Sequence, residues 1–284
     1  MQGIAGHQYY VRITLLDNNV FESEPETLIP TGDIEKVYYE FDERIDWKSE
    51  DFIEPQNGFN VYVDAKVLPE QEGLIRWRTT GTWELKTYPE LRTELIPGPG
   101  GTYIVQPAPT PCSGYIYVKQ SKIPGSGRTE LLYQKGPCSC CLCWINQYDS
   151  QPLLSDPRFD SDGVKRKFLT FIPASRRMFY AKYHVQVEQM SLSKKSYDFW
   201  NTVMKQRQTG SDLFQTPPPK SVGNMRTVTG NDKVFGYFGA SSVKVSSFFI
   251  ERDAIPYYLP PIDTIAESCS LGYKYYTTTK PFFW

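Results

Sequence analysis

The sequence predicts an all-β protein: a β-sandwich-like body carrying one amphipathic helix near residues 194–207. Three observations predict it. The apolar content is aromatic, with 20 Tyr, 16 Phe and 6 Trp against eight Ala, a mixture that favours pleated strands over helix. The 22 Pro and 20 Gly cut the chain into short segments. Several of those segments alternate apolar and polar residues, and one alone has a helical period. At about 150 residues per domain, 284 residues make one large domain or two small ones, long enough to bury a sizeable core.

The elements follow in order. Tyr9, Val11, Ile13 and Leu15 alternate with Arg12 and Thr14; Asp17-Asn18-Asn19 reads as a turn and Val20–Ser23 as a return strand. A lone hairpin is marginal in water, and no strand precedes this one. The expectation is a fragment of something longer; the alternative is a hairpin packed onto the rest of the chain. Ile29-Pro30-Thr31-Gly32-Asp33 reads as a linker.

Phe59, Val61, Val63, Ala65 and Val67 share one face of the next strand. Leu74–Leu85 carries Trp77 and Trp83 around Gly81, where a bend or bulge is expected. Residues 97–101 and 107–111, rich in Pro and Gly, are loops. Gly114–Gln120 and Glu130–Gln134 form a hairpin joined through Pro124-Gly125-Ser126-Gly127. Lys167–Ile172 and Met178–Gln189 are strands, the second with Phe179, Ala181, Tyr183, Val185 and Val187 on one face.

Ser193 is placed to cap a helix over Lys194–Arg207, with Tyr197, Trp200 and Met204 in one stripe and Gly210 as its stop. After Thr216-Pro217-Pro218-Pro219, strands return at Asn224–Thr229, Val234–Phe238 and Val243–Glu251. There is no repeat of 20–50 residues.

Six cysteines occur: Cys112, Cys138, Cys140, Cys141, Cys143 and Cys269. A metal or redox site is one reading, since thiolates bind zinc and iron–sulfur clusters. Cys140/Cys143 and Cys138/Cys141 each supply half a zinc-knuckle spacing, but Cys112 and Cys269 are single. Disulfides in an oxidising compartment are the preferred reading, ahead of metal or free thiols. Neighbouring Cys140 and Cys141 point to opposite faces of a strand, so Cys112 to Cys138 or Cys140 is the expected closure.

Chemistry is thinly signposted. Net charge is −1, with 31 Lys+Arg against 32 Asp+Glu, so no global field draws nucleic acid or acidic lipid. No apolar run approaches the ~20 residues that span a bilayer, and residues 1–7 lack the basic start and apolar stretch of a secretory signal. Of the two His, His7 lies near the start and His184 mid-strand; only His184 is placed to serve a nucleophile as base. No hydrolase, zinc-protease, phosphate-loop or dinucleotide motif is present.

The acidic pairs Asp42/Glu43 and Glu50/Asp51 fall in a polar stretch read as loop, solvated rather than glycosidic. Asp160, Asp162 and Gly163 are faintly calcium-like but lack the regular acidic series. Lys165–Lys167 and Arg176-Arg177 are basic without interleaved aromatics, which disfavours nucleic acid. Tyr257-Tyr258, Tyr273, Tyr275 and Tyr276 offer rings for stacking on sugars or peptides; the plainer expectation is that they pack an edge of the body. No catalytic, cofactor or metal residue is assigned, and the ligand is unknown.

Several segments together resemble a known family. They are Gln2–Glu40, Trp77 to Trp83-Glu84, Cys143-Trp144 and Phe171-Ile172-Pro173. More specific are Val185–Ser193, Tyr197-Asp198-Phe199-Trp200, Gly223-Asn224, Gly236–Ser242 and the terminal Lys280-Pro281-Phe282-Phe283-Trp284. They are similar to the domain of unknown function 4249 family of Bacteroidetes. Members begin with a lipoprotein signal and an immunoglobulin-like β-domain of roughly a hundred residues. The resemblance therefore implies that residues 1–30 are the terminal hairpin of a truncated immunoglobulin-like domain and 31–284 the main β-rich domain.

It also implies a lipid-anchored lipoprotein of the cell envelope and outer membrane, encoded beside a TonB-dependent outer-membrane transporter. No established activity or catalytic residue comes with it. Relatives often have two cysteines near the end where this chain has Cys269, so no disulfide pattern carries over. The expectation is a non-catalytic accessory or binding protein acting with the transporter in nutrient capture. The alternative is a structural or assembly protein of the outer membrane with a protein partner and no small ligand.

Overall fold

A computed structural model describes residues 3–49, 52–119, 130–160, 163–208 and 222–284. Short strands open the chain: β1 (Gln8–Tyr9), β2 (Arg12–Thr14), β3 (Val20–Ser23) and β4 (Glu26–Thr27). Long ones follow: β5 (Ile34–Ser49), β6 (Phe52–Ala65) and β7 (Ile75–Lys86). Next come β8 (Thr93–Pro97), β9 (Tyr103–Pro107), β10 (Tyr115–Lys119), β11 (Glu130–Gln134), β12 (Leu142–Tyr148) and β13 (Leu153–Leu154). A one-turn α1 (Pro157–Asp160) leads to β14 (Val164–Pro173), β15 (Lys182–Ser191) and the main helix α2 (Lys194–Gln208). The chain closes with β16 (Met225–Thr229), β17 (Val243–Glu251), α3 (Cys269–Gly272) and β18 (Tyr276–Thr277).

Two antiparallel sheets form the body, which is the all-β, sandwich-like architecture expected. One has the order β14-β6-β5; the other runs β17-β15-β7-β12-β18, with β13 also on β7. Period-two alternation puts Phe59, Val61, Val63 and Ala65 of β6 on the inner face, all buried. Ile75, Trp77, Trp83 and Leu85 of β7, Tyr183, Val185 and Val187 of β15, and Ile250 of β17 join them in one core. Each large side chain so buried contributes roughly 1.5–3 kcal/mol relative to exposure. One buried polar chain is fully partnered: Trp77 Nε1 donates to Gln189 Oε1 at 3.0 Å, and Gln189 Nε2 donates to the Gly32 carbonyl at 2.9 Å.

Gly81 is neither bend nor bulge. β7 pairs in unbroken register with β12 and β15 on both sides of it. The glycine is instead a close approach: a Cβ there would lie 1.7 Å from the Tyr183 hydroxyl oxygen.

Three further expectations need correction. The polar stretch holding Asp42/Glu43, read as loop, is part of strand β5, and Asp42 accepts from Asn60 Nδ2 of β6 at 2.8 Å. Its charges are outward positions of a sheet: Glu40 is bridged by the Arg166 guanidinium and Glu35 by Lys165. β15 begins at Lys182 rather than Met178, because the Phe179 N–H donates to the Ser175 carbonyl at 3.0 Å in a turn; Phe179 is still buried, ring against Tyr183. Val234–Phe238 is not a strand. The Asn224 side chain takes the place of a neighbouring strand there, donating to the Phe238 carbonyl and accepting the Phe238 N–H, both at 2.8 Å.

The N-terminal hairpin β2–β3 has a partner: β3 pairs with β16 along its other edge. The two smaller hairpins, β8–β9 and β10–β11, stand outside both sheets of the body. α2 forms as expected, with Ser193 Oγ accepting the Ser196 N–H at 3.1 Å as its cap. Tyr197 and Trp200 pack on buried Leu74, Leu154 and Leu192. The turn at 124–127, the Gly210 stop, the 216–219 prolines, Glu50/Asp51 and Asp162 lie outside the described residues. Among the described residues no helix is long and apolar enough to cross a membrane.

Candidate functional site

All six cysteines are paired. Cys112 joins Cys140 and Cys138 joins Cys141, each with Cα atoms 5.7 Å apart, and Cys143 joins Cys269 at 6.6 Å. The first two bridges knot the base from which β8–β9 and β10–β11 emerge. The third ties β12 to α3 and holds the C-terminal segment on the sheet. Cys143 and Cys269 are both buried in the core.

His184 is no accessible base. Its ring stacks on Phe283 with centroids 4.1 Å apart and packs against Phe249 at 4.9 Å. Burial, reinforced by the neighbouring Lys182 charge, holds its pKa down to about 4. The calcium-like segment is occupied internally: Asp160 Oδ2 accepts the Asp156 N–H at 2.8 Å and faces Lys167 at 3.7 Å. Arg158 binds the Asp156 carboxylate and draws its pKa down to about 2. Among the described residues no group of His, Cys, Asp and Glu has the arrangement to hold a metal ion. In the basic runs Arg166 pairs with Glu40 and Arg176 with Asp263 at 3.1 Å.

The tyrosines separate by environment. Tyr273 packs into the core, its ring edge-on to Trp83 at 6.4 Å. Tyr275 meets Tyr148 edge-on at 5.2 Å, and Tyr276 sits in β18 opposite Ile145. Tyr257 and Tyr258 line an open cleft of about 560 Å³ with Glu251, Asp253, Ile255, Leu259 and Pro261. Tyr258 is 80% exposed, while Tyr257 leans edge-on against Phe41. Arg252 fixes the wall: its guanidinium donates to the carbonyls of Phe179, Leu259 and Pro260. That arginine is spent on structure. The cleft therefore offers ring faces and two carboxylates, a combination that suits hydroxylated or cationic ligands.

Two clusters escaped the sequence reading. Glu26 is buried at the start of α2, accepting from Ser193 Oγ at 2.5 Å and from the Tyr237 hydroxyl at 2.6 Å. Tyr237 also meets Ser196 Oγ at 3.1 Å and stacks on Phe199 at 4.2 Å. Burial and the Glu26 charge raise the Tyr237 pKa well above the usual phenol value. The second cluster gathers Arg76, Asp149 and Trp200 around a small cavity beside α2. Nothing local marks Glu26 or Asp149, since each sits in a polar stretch. The alternation of β7 does mark Arg76 as facing away from Trp77.

These features define a disulfide-braced, two-sheet β protein with an open aromatic cleft on one end of its larger sheet. The family follows from the sequence as a whole. The chain belongs to the family described as Domain of unknown function (DUF4249), whose profile matches residues 1–247. Neither the curated proteins nor the solved structures contain a match to this chain.

Proposed function

We propose that this chain is a non-catalytic binding protein of the cell envelope, a lipoprotein of the outer membrane that works with a TonB-dependent transporter in nutrient capture. The observation that carries the reading is the 251–261 cleft, where exposed Tyr258 stands beside Glu251 and Asp253 on a wall held rigid by Arg252. Rigid aromatic faces bind at low entropic cost. Three disulfides suit an oxidising compartment. The enclosure of His184 between Phe249 and Phe283 argues for binding over hydrolysis.

A second reading, an assembly protein with a protein partner, draws on the β8–β9 hairpin. Leu95, Val105 and Tyr103 share one face of it and are 66%, 62% and 73% exposed.

The test is affinity purification of the tagged precursor from outer membranes in mild detergent, with partners identified by mass spectrometry. A stoichiometric TonB-dependent transporter is the expected result. Recovery with assembly machinery, or with no partner, sinks the transport reading. Reproducible turnover lost with a single carboxylate or His184 substitution would overturn the non-catalytic one.

A further inference from the structure

A second, smaller site lies on the outer face of the larger sheet, under α2. Arg76 of β7 lies flat on Trp200, its guanidinium carbon 3.6 Å from the ring centroid. Stacking fixes the plane of the guanidinium and leaves its edge free to donate. Its Nε is fully buried and has no hydrogen-bond partner. A cavity of about 130 Å³ opens beside it, lined by Arg76, Asp149, Ser150, Trp200, Val203 and Arg207.

The charges at this cavity are unmatched. Among the described residues neither Arg76, Arg207 nor Asp149 has an ion-pair partner within 4.0 Å; Arg78, next along the face, is engaged by Glu188 at 3.6 Å. Asp149 is near enough to feel Arg76 and Arg78, yet burial outweighs them and raises its pKa. Burial likewise lowers that of Arg76. Half-buried ionic groups bear a desolvation cost that a partner normally offsets. Arg76 and Asp149 bear that cost; Arg207, exposed at the rim, adds a second positive charge, so the cavity carries one positive charge in excess.

We propose that the Arg76–Arg207 cavity binds a monoanionic carboxylate group, from a small molecule or a peptide terminus. A planar carboxylate matches a guanidinium edge in two parallel hydrogen bonds. The cavity has room for such a group rather than for a whole ligand. A dianion fits less well, because Asp149 opposes its second charge. The site is separate from the 251–261 cleft and does not depend on it.

The test follows the Arg76 Nε–H signal by NMR in the full chain while sodium acetate replaces sodium chloride at constant ionic strength. A saturable shift is expected. Arg207→Gln, an exposed position, weakens it about tenfold, the scale of one charge-assisted hydrogen bond. Asp149→Asn strengthens it by removing the competing negative charge. Three results would overturn the proposal: a shift that never saturates, one unchanged in both variants, or tighter binding of inorganic phosphate than of acetate. Unchanged Tm in each variant confirms that the fold is intact.

Discussion

Gly81 and Tyr183 occupy one another's space. The hydroxyl of Tyr183 fills the volume that any side chain at position 81 would need. Gly81→Ala is expected to cost about 1–3 kcal/mol through overpacking, read as a fall in the denaturant midpoint. Adding Tyr183→Phe in the same chain recovers part of that loss, since it removes the nearest clashing atom. Independent, additive effects would show that the two residues do not interact as described.

His184 carries a pH dependence whose sign is fixed by its burial. Its folded pKa of about 4 lies below the unfolded value of 6.5, so the unfolded chain binds the extra proton between those limits. Stability therefore falls as pH drops from about 6.5 toward 4, by roughly 2–3 kcal/mol at the acid end. His184→Gln flattens that part of the stability–pH curve. An unchanged slope would mean the acid loss comes from other groups. The sequence showed a histidine within a strand, but it could not show Phe283 closing over it from the far end of the chain.

At the scale of elements, α2 is held by its cap and by a chain segment remote in sequence. Ser193 caps the helix and also donates to Glu26, which Tyr237 approaches from the other side. Tyr237→Phe removes one donor to a buried carboxylate and is expected to cost about 1–3 kcal/mol. Hydrogen exchange at the first turn of α2 should quicken with it. Equal protection in wild type and variant would show that the Glu26 contact does not support the helix.

The helix itself was legible from Ser193 and the Tyr197–Trp200 spacing. So was the alternation of β6 and β15. β5 was not legible, because Glu35, Glu40 and Asp42 look like a solvated loop until Lys165 and Arg166 of β14 lie across β6 from it. Val234–Phe238 misled in the opposite direction. Its apolar residues suit a strand, but their extended backbone is matched by the Asn224 amide and Tyr237 turns inward to the helix.

At the scale of the molecule, the Cys143–Cys269 bridge closes the longest loop, joining residues 126 apart in sequence. Cys269→Ser is expected to cost about 2–4 kcal/mol and to free the C-terminal segment. Limited proteolysis should then cut within residues 270–284 before the body. Identical cleavage patterns would show that β18 pairing and the Trp144–Trp284 ring contact suffice to hold that end. Mapping of thiols under non-reducing conditions gives the companion check, with no free cysteine expected.

Fold class, family, the helix and the inner faces of β6 and β15 were legible in the sequence. Those properties reside in local periodicity, composition and short motifs, which neighbouring residues express without help. Tertiary contacts decided which strands neighbour which beyond the local hairpins, how the six cysteines pair, and which polar residues meet. The Tyr257–Tyr258 cleft needed Arg252 reaching back to Phe179 to give it a wall. The Arg76 cavity needed a strand, a loop and a helix from three parts of the chain. Such sites depend on contacts between residues far apart in sequence, and those contacts exist only once burial of the common core has brought the elements together.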